Sequence, residues 1–228
     1  MNTYAVAVIP GDGIGVDVIR EGVRVLDLLG EATGGFQLDY QWFDWSSERY
    51  LAKVRALRVG DPREAATDLG ALVSREHFDK VTGCIAQARA EGGRVLCGGD
   101  ALALPGPLAG GWYVAPTVIE GLGPETATNQ QEIFGPVVTL IPFDDEAQAL
   151  AIANGTGYGL AASLWTTDLS RAHRFGAQLD FGIVWINCWL LRDLRTPFGG
   201  AKQSGVGREG GVEALRFFTE PKNICIRY

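Results

Sequence analysis

The residues with the clearest chemical potential lie in segment 129–138, where a polar run ends at a turn and an apolar run follows. Gly135-Pro136 marks the turn and Val137–Ile141 is rich in β-branched residues, which predicts a loop that feeds a buried strand. Glu132 and Phe134 would then stand at the mouth of this strand, where a carboxylate can accept ribose hydroxyls and an aromatic side chain can face a ring. The same spacing also fits a solvated loop glutamate beside a core phenylalanine.

Composition restricts the class of protein. The chain has 228 residues, of which 46% are hydrophobic and 21% charged, as is typical of a globular protein with a sizeable core. A net charge of −7 and the lack of a Lys/Arg stripe argue against a nucleic-acid partner. The apolar runs are too short for a membrane span, and no signal peptide is evident. We therefore expect a cytoplasmic protein with no membrane partner.

The four cysteines predict neither a metal site nor a disulfide. They are scattered without Cys-x-x-Cys spacing, and the sequence has two histidines to assist them. Reduced, mostly buried thiols are the expectation for Cys84, Cys97, Cys188 and Cys225.

The N-terminal region predicts a β-α-β arrangement. Residues 4–9 form an apolar run, a helical pattern extends from Val16 to Thr33, and residues 36–43 alternate as a second strand. The apolar stripe of this helix comprises Val18, Gly22, Val25 and Leu29, with Ile19, Val23 and Leu26 beside it. The segment before this helix, Gly11-Asp12-Gly13-Ile14-Gly15, is either a dinucleotide-binding loop or a tight turn. The dinucleotide-binding fingerprint Gly-x-Gly-x-x-Gly requires a third glycine where this sequence has Val16, which favours the turn.

Strands and helices alternate through the rest of the chain. Strands are predicted at 94–97, 112–119, 137–142, 160–165 and 182–187, and helices at 74–91, from 144, from 168, where Asp168 is the cap, and at 208–218. The predicted inner faces are Phe78, Val81, Ile85 and Ala88 in the first of these helices, Ala147, Leu150 and Ala151 in the second, and Ala172, Phe175, Gly176 and Leu179 in the third. Such alternation predicts an α/β fold, a three-layer sandwich with a largely parallel sheet and with sites at the carboxyl ends of its strands.

The polar segment also resembles a known motif. Gln131-Glu132-Ile133-Phe134-Gly135-Pro136-Val137 is similar to the Glu-Ile-Phe-Gly-Pro-Val motif of the NAD(P)-dependent aldehyde dehydrogenase superfamily, and the likeness runs from about Lys53 to Tyr228. It implies that residues 52–228 are an aldehyde dehydrogenase catalytic-domain fragment. It also implies that NAD(P) is the cofactor, with Glu132 and Phe134 contacting the nicotinamide ribose.

A second resemblance covers residues 1–51. The runs Ala7–Gly15, Glu21–Leu26 and Asp44–Tyr50 are similar to the start of the tartrate and isopropylmalate dehydrogenases. That family's metal-binding aspartates and its Tyr and Lys acid–base pair do not follow, so no function is carried over. The missing start of an aldehyde dehydrogenase catalytic domain has the same element order as residues 4–58, and we hypothesise that this unit fills the same places in the sheet.

The substrate wall is implied by resemblance as well. Asn187-Cys188-Trp189 followed by an Arg-containing loop resembles the members that act on 2-hydroxymuconic-type semialdehydes, which carry a carboxylate. Phe198 matches a position that commonly contacts the tail of the aldehyde. The predicted substrate-binding residues are therefore Asn187, Cys188, Arg192 and Phe198. Arg192 or Arg195 would clamp the carboxylate; the alternative is a solvated arginine paired with Asp193.

Two parts of the family's chemistry have no counterpart in this sequence. The nucleophilic cysteine in its Gly-Gln-x-Cys setting and the glutamate in its Glu-Leu-Gly-Gly setting are both missing, as is room for a cofactor-binding Rossmann domain. Cys188 is either a structural thiol or a substitute nucleophile without a neighbouring base. We therefore assign no catalytic residue, and expect a truncated or chimeric family member that is inactive alone.

The C-terminal residues Asn223–Tyr228 alternate like an exposed edge strand. In the resembled family the terminal strand commonly joins the sheet of a partner subunit, which predicts a homo-oligomer. The same C-terminal segment is also compatible with a different class of function, a non-catalytic assembly module that pairs with an intact aldehyde dehydrogenase.

Overall fold

The computed structural model describes residues 2–8, 14–42 and 46–228, which form α/β structure with parallel and antiparallel strand pairs. Contacts divide the chain into a first unit, Met1–Leu122 with Ile133–Leu140, and a second unit, Gly123–Glu132 with Ile141–Tyr228. In chain order the strands and α-helices are β1 (Asn2–Val8), α1 (Ile14–Thr33), β2 (Phe36–Trp42), α2 (Ser47–Arg55), α3 (Arg75–Ala90), β3 (Arg94–Cys97), β4 (Ala101–Leu102), β5 (Tyr113–Val114), β6 (Thr117–Glu120), α4 (Ala127–Gln130), β7 (Val137–Leu140), α5 (Glu146–Asn154), β8 (Tyr158–Gly159), β9 (Ala161–Leu164), α6 (Leu169–Gln178), β10 (Ile183–Ile186), β11 (Ala201–Lys202) and α7 (Gly211–Phe217).

The N-terminal residues form the predicted β-α-β arrangement. β1 and β2 run parallel, with Asn2 opposite Phe36 and Val8 opposite Trp42. The predicted turn at Gly11–Gly13 lies outside the described residues. Within the described ranges these two strands hydrogen-bond only with each other. The hypothesis that this unit completes the sheet of the following residues is therefore wrong, because neither strand has a lateral partner there.

The apolar stripe predicted for α1 is largely exposed. Val18, Val25 and Leu29 are 58%, 62% and 50% exposed, whereas Ile19 and Val23 are half-buried. The physical reason is the width of the sheet: two strands cover one side of a helix and leave the flanking apolar side chains in solvent.

The core of the first unit forms between α3 and the sheet β3-β6-β7. β3 and β6 are antiparallel, β6 and β7 are parallel, and the Ser74 hydroxyl caps α3 by accepting a hydrogen bond from the His77 amide. The predicted inner face of α3 is confirmed, since Val81, Ile85 and Ala88 are at most 1% exposed. This helix face is thus what the sheet packs against.

The strand predicted at 112–119 is divided into β5 and β6. Pro116 has no N–H to contribute to a ladder, and the Ala115 amide donates to the Asp100 carbonyl instead. The Thr117 hydroxyl bridges the break, accepting from the Gly99 amide and donating to the Ala115 carbonyl.

The second unit is built around the parallel pair β9–β10, with Ala161 opposite Ile183 and Leu164 opposite Ile186. The cap predicted at Asp168 is confirmed, because its carboxylate accepts a hydrogen bond from the Arg171 amide at 2.9 Å. α6 buries Ala172 and Phe175 as its sequence pattern predicts.

The inner face of α5 differs from the prediction. Of the three residues expected to point inward, Leu150 is half-buried but Ala147 and Ala151 are exposed, whereas Ala149 and Ala153 are half-buried instead. The Glu146 carboxylate bonds Arg171 and Arg174 of α6. Positions 146, 149, 150 and 153 share a helix face, so the half-buried side of α5 is the side whose Glu146 contacts α6.

The C-terminal residues form less regular structure than predicted. α7 begins at Gly211 rather than near Arg208, because Gly210 and Gly211 both adopt positive φ, 84° and 54°. Residues 219–228 form neither helix nor strand, and all are exposed. The predicted edge strand is therefore not formed within this chain.

Removal of core volume should destabilise the first unit. Ile119 is fully buried against Ala88 and Leu122, and Ile119→Ala is expected to lower the free energy of unfolding by about 2–5 kcal/mol. Urea denaturation measures the change, with Val73→Ala as the matched control because Val73 is 90% exposed. Equal losses for the two variants would contradict the assigned core.

Candidate functional site

The Glu-Ile-Phe-Gly-Pro segment joins the two units covalently. α4 ends at Gln130 and β7 begins at Val137, which confirms a loop feeding a strand. The chain passes from the second unit into the first between Glu132 and Ile133. The two predicted cofactor-binding residues, Glu132 and Phe134, therefore belong to different units.

Within the first unit the loop is fixed by packing and by its backbone. Ile133 packs against the cluster that contains Val81. A Cβ atom added to Gly135 would lie 2.7 Å from Val81 Cγ1, so only glycine permits this approach. The Pro136 carbonyl accepts a hydrogen bond from the Thr117 amide at 2.8 Å. These contacts hold the loop from its inner side.

Phe134 faces outward from this anchored loop. Its side chain is 71% exposed, which argues against a core phenylalanine, and its backbone adopts φ 58°. The Lys80 ammonium lies 6.0 Å from the centre of its ring, and His77 Nε2 lies 2.6 Å from its carbonyl oxygen. Glu132 is exposed as well. Phe134 thus presents an exposed ring from the first unit, and Glu132 is an exposed residue of the second unit.

Asn187 supports the backbone after β10. It adopts φ 54°, and its amide group is used at both ends: Oδ1 accepts from the Thr166 amide at 2.8 Å and Nδ2 donates to the Thr166 carbonyl at 2.7 Å. This predicted substrate-binding residue thus has a defined structural role at the carboxyl end of a strand.

Cys188 follows in a half-buried position. Its carbonyl accepts a hydrogen bond from the Ser163 hydroxyl at 3.0 Å. In the part of the chain that the structure describes, no hydrogen bond reaches its thiol, and the cysteine has no adjacent base. This environment fits a structural thiol better than a nucleophile. All four cysteines are free; Cys84, Cys97 and Cys188 are half-buried and Cys225 is exposed, so the thiols are less buried than expected.

The loop after Cys188 is held by an indole that the sequence did not indicate. Trp185 is 6% exposed; its Nε1–H donates to the Leu191 carbonyl at 2.8 Å, and its ring meets Trp189 edge-on with centroids 5.0 Å apart. Because Leu191 precedes Arg192, this bond fixes the backbone from which the arginine extends.

Arg192, Phe198 and Glu209 form one cluster. The Arg192 guanidinium stands 4.2 Å from the centre of the Phe198 ring and donates from Nη2 to Glu209 Oε1 at 2.6 Å. Phe198 and Glu209 exchange two backbone hydrogen bonds of 2.8 Å, so the ring and the carboxylate are held together. Glu209 lies 17 residues from Arg192, and its part in the site was missed from the sequence.

Arg195 has a different carboxylate partner from Arg192. Its Nε and Nη2 atoms form a two-pronged contact with the Asp193 carboxylate, at 2.9 Å and 2.5 Å, and its amide donates to the same group at 2.9 Å. These hydrogen bonds hold the pKa of Asp193 below its usual range. The structure therefore pairs Arg195 with Asp193, whereas it pairs Arg192 with Glu209.

The glycines after Phe198 allow close backbone approach. A Cβ on Gly199 would overlap the Gly207 carbonyl oxygen, and one on Gly200 would overlap Ser204. An added Cβ on Gly205 or Gly207 would make only ordinary van der Waals contacts, so close backbone approach is limited to Gly199 and Gly200. Within the described ranges, no group of three or more His, Cys, Asp or Glu side chains is arranged to hold a metal ion. No described helix is long and apolar enough to span a membrane.

Comparison with known proteins agrees with this geometry. The aldehyde dehydrogenase family model matches residues 39–224. The chain is 46% identical to 2-aminomuconic semialdehyde dehydrogenase of Danio rerio over 79% of its length and 37% of the relative's. It is 48% identical to 2-hydroxymuconic semialdehyde dehydrogenase of Pseudomonas sp. (strain CF600), over 81% of the chain and 38% of the relative.

A solved structure gives the same result. The Mycobacterium tuberculosis aldehyde dehydrogenase complexed with NAD⁺ superposes with a TM-score of 0.70 and 41% identity, over 76% of this chain and 35% of that one. The predicted α/β fold class is confirmed. The chain spans 37–38% of the length of these two curated relatives, and it belongs to the aldehyde dehydrogenase family.

Proposed function

We propose that this chain supplies the substrate wall and part of the ribose-contacting loop of an NAD(P)⁺-dependent oxidoreductase that acts on the aldehyde group of a carboxylate-bearing semialdehyde. The observation that carries the proposal is the cluster of Arg192, Phe198 and Glu209, in which the arginine guanidinium lies over the phenylalanine ring. Relatives named for muconic semialdehydes support the substrate class, since those compounds are acids that carry an aldehyde.

Arg192 is the better candidate for the carboxylate clamp. Arg195 has both prongs of its guanidinium engaged by a carboxylate two residues away. Arg192 donates to Glu209 through Nη2, and its side chain is 38% exposed. A planar guanidinium has five N–H donors, so Arg192 can receive a substrate carboxylate by sharing or replacing Glu209.

Phe198 supplies the apolar part of the same wall. Its ring lines a cavity of about 350 Å³ together with Leu160, Phe217 and Phe218. Its neighbour Arg192 is charged, so the wall combines an apolar side chain with a cationic one. This combination suits a semialdehyde whose carbon chain ends in a carboxylate.

The cofactor role falls to Glu132 and Phe134. NAD(P)⁺ would supply the hydride acceptor, and these two residues would hold its nicotinamide ribose, through the carboxylate and the ring. The residues proposed here for substrate and cofactor binding include neither the nucleophilic cysteine nor the general-base glutamate of the family. Since neither family motif for these groups occurs in the sequence, we propose that the isolated chain is inactive.

Three further proposals concern organisation. Residues 1–51 are a βαβ fragment like the start of a β-decarboxylating dehydrogenase, and residues 52–228 form the aldehyde dehydrogenase part. The family match begins at residue 39, upstream of that boundary.

The protein is a homo-oligomer whose subunits are joined through Asn223–Tyr228. It is located in the cytoplasm, a reducing compartment that suits its four free thiols.

The clamp can be tested with muconate, a stable dicarboxylate. We expect muconate to shift the Arg192 Nε signal in a saturable NMR titration, and Arg192→Met to abolish this binding. Arg195→Met, the matched control, should retain it. Glu209→Gln should tighten binding roughly twofold to fivefold, the factor that corresponds to an exposed ion pair of ~0.4–1 kcal/mol. Loss of binding in Arg195→Met alone would transfer the clamp to that residue.

Inactivity is tested by incubating the isolated chain with NAD(P)⁺ and an aldehyde. Absorbance at the NAD(P)H wavelength should stay at background, while a full-length relative serves as the positive control. NAD binding should be weak or undetectable by calorimetry. The physical reason is that Glu132 and Phe134 supply only part of a nucleotide site. Steady turnover that Cys188→Ser abolishes, or micromolar NAD affinity, would contradict the proposal.

The assembly-module alternative is favoured by one observation, the exposed C-terminal segment. Ile224 and Ile226 are 70% and 66% exposed, and neither lies in a strand of this chain. If the segment adds a strand to a full-length homologue, the two proteins should co-purify, and Ile224→Lys with Ile226→Lys should separate them. The control is Val206→Lys, at a fully exposed site outside this segment. A strictly monomeric profile beside the homologue would count against the module.

A further inference from the structure

The Phe134 backbone has a conformation that its side chain does not favour. Its φ of 58° lies in the left-handed region, where a residue with a Cβ atom crowds its own carbonyl. Other contacts must therefore keep it there. Gly135 is pressed against Val81 on its C-terminal side, and Ile133 packs against the same cluster on its N-terminal side.

A further contact is made to the Phe134 backbone itself. His77 Nε2 lies 2.6 Å from the Phe134 carbonyl oxygen. A carbonyl can only accept, so Nε2 must carry the hydrogen, either in the neutral Nε2–H tautomer or in the imidazolium. The histidine therefore donates to the carbonyl, across 57 residues of sequence.

His77 is itself well placed to restrain its partner. It lies in the first turn of α3, where its amide donates to the Ser74 hydroxyl cap at 3.1 Å. Four residues later the same helix contributes Val81, which is 0% exposed. One helix thus holds the loop at two points: the Val81 side chain fixes Gly135, and the His77 ring fixes the Phe134 carbonyl.

We infer that His77 is a positioning residue that keeps Phe134 in its left-handed conformation, so that the exposed ring is presented outward. What this ring faces rests on the proposed function, in which it is the nicotinamide ribose. The hydrogen bond and its effect on the loop do not depend on that function, because both are properties of the free chain.

The test is native-state chymotrypsin cleavage at the Phe134–Gly135 bond, followed by mass spectrometry. Cleavage in the folded protein follows local opening of the loop. His77→Leu removes the donor and should accelerate cleavage by about tenfold, the upper range for one net hydrogen bond. His77→Gln keeps an N–H at a similar reach and should restore a rate within about twofold of wild type.

Two measurements separate positioning from general destabilisation. Urea unfolding should lower the folding equilibrium constant of His77→Leu by no more than about tenfold relative to His77→Gln, which is the loss that the one hydrogen bond itself accounts for. A larger loss would indicate general destabilisation, and His77→Met repeats the donor loss if the leucine variant does not fold. Glu76→Gln, at the adjacent exposed position of α3, should leave the cleavage rate unchanged. Equal rates for leucine, glutamine and wild type would overturn the inference, as would equal acceleration by leucine and glutamine. Cleavage needs neither cofactor nor aldehyde, so failure of the proposed function leaves this result intact.

Discussion

The contact between Gly135 and Val81 is the constraint on which the first unit depends. It brings a backbone atom to a distance from a buried side chain that no other residue type permits. With the loop seated there, the Pro136 carbonyl meets the Thr117 amide and β7 enters the sheet beside β6. The same seating turns Phe134 outward, because the neighbours on either side of it are pressed inward. Core packing and the exposed ring therefore have one cause.

Features set by short-range chemistry were predictable. The caps at Ser74 and Asp168 follow from side-chain oxygens that accept amides three residues later. The inner faces of α3 and α6 follow from apolar spacing. Predictions failed where a distant contact decided the outcome. Glu146 pairs with two arginines 25 and 28 residues away, and these partners lie on the half-buried side of α5, which the alanine pattern did not indicate.

In the candidate site, too, local sequence predicted some features and distant contacts decided others. Its residues were found through motif resemblance, but their electrostatic state depends on partners. Asp193 lies two residues from Arg195 and was a foreseeable partner; Glu209 lies 17 residues from Arg192, and its approach depends on the Phe198 bridge. Neither Trp185 nor His77 carries a motif. Each acts by donating a hydrogen bond to a carbonyl that the fold brings near, which local sequence does not encode.

Family membership and catalytic competence are separate questions for this chain. The family match covers residues 39–224, whereas the inactivity that we propose depends on the two catalytic motifs that the sequence does not contain. A surface that recognises substrate contributes to rate only if the reacting atoms are held against it to within ~1 Å. The Cys188 backbone carbonyl accepts a hydrogen bond from Ser163, and among the described residues no hydrogen bond to its thiol is found, which fits our proposal that it is a structural thiol. The folded wall can thus be retained by packing alone, because Arg192, Phe198 and Glu209 stabilise one another whether or not a nucleophile stands opposite.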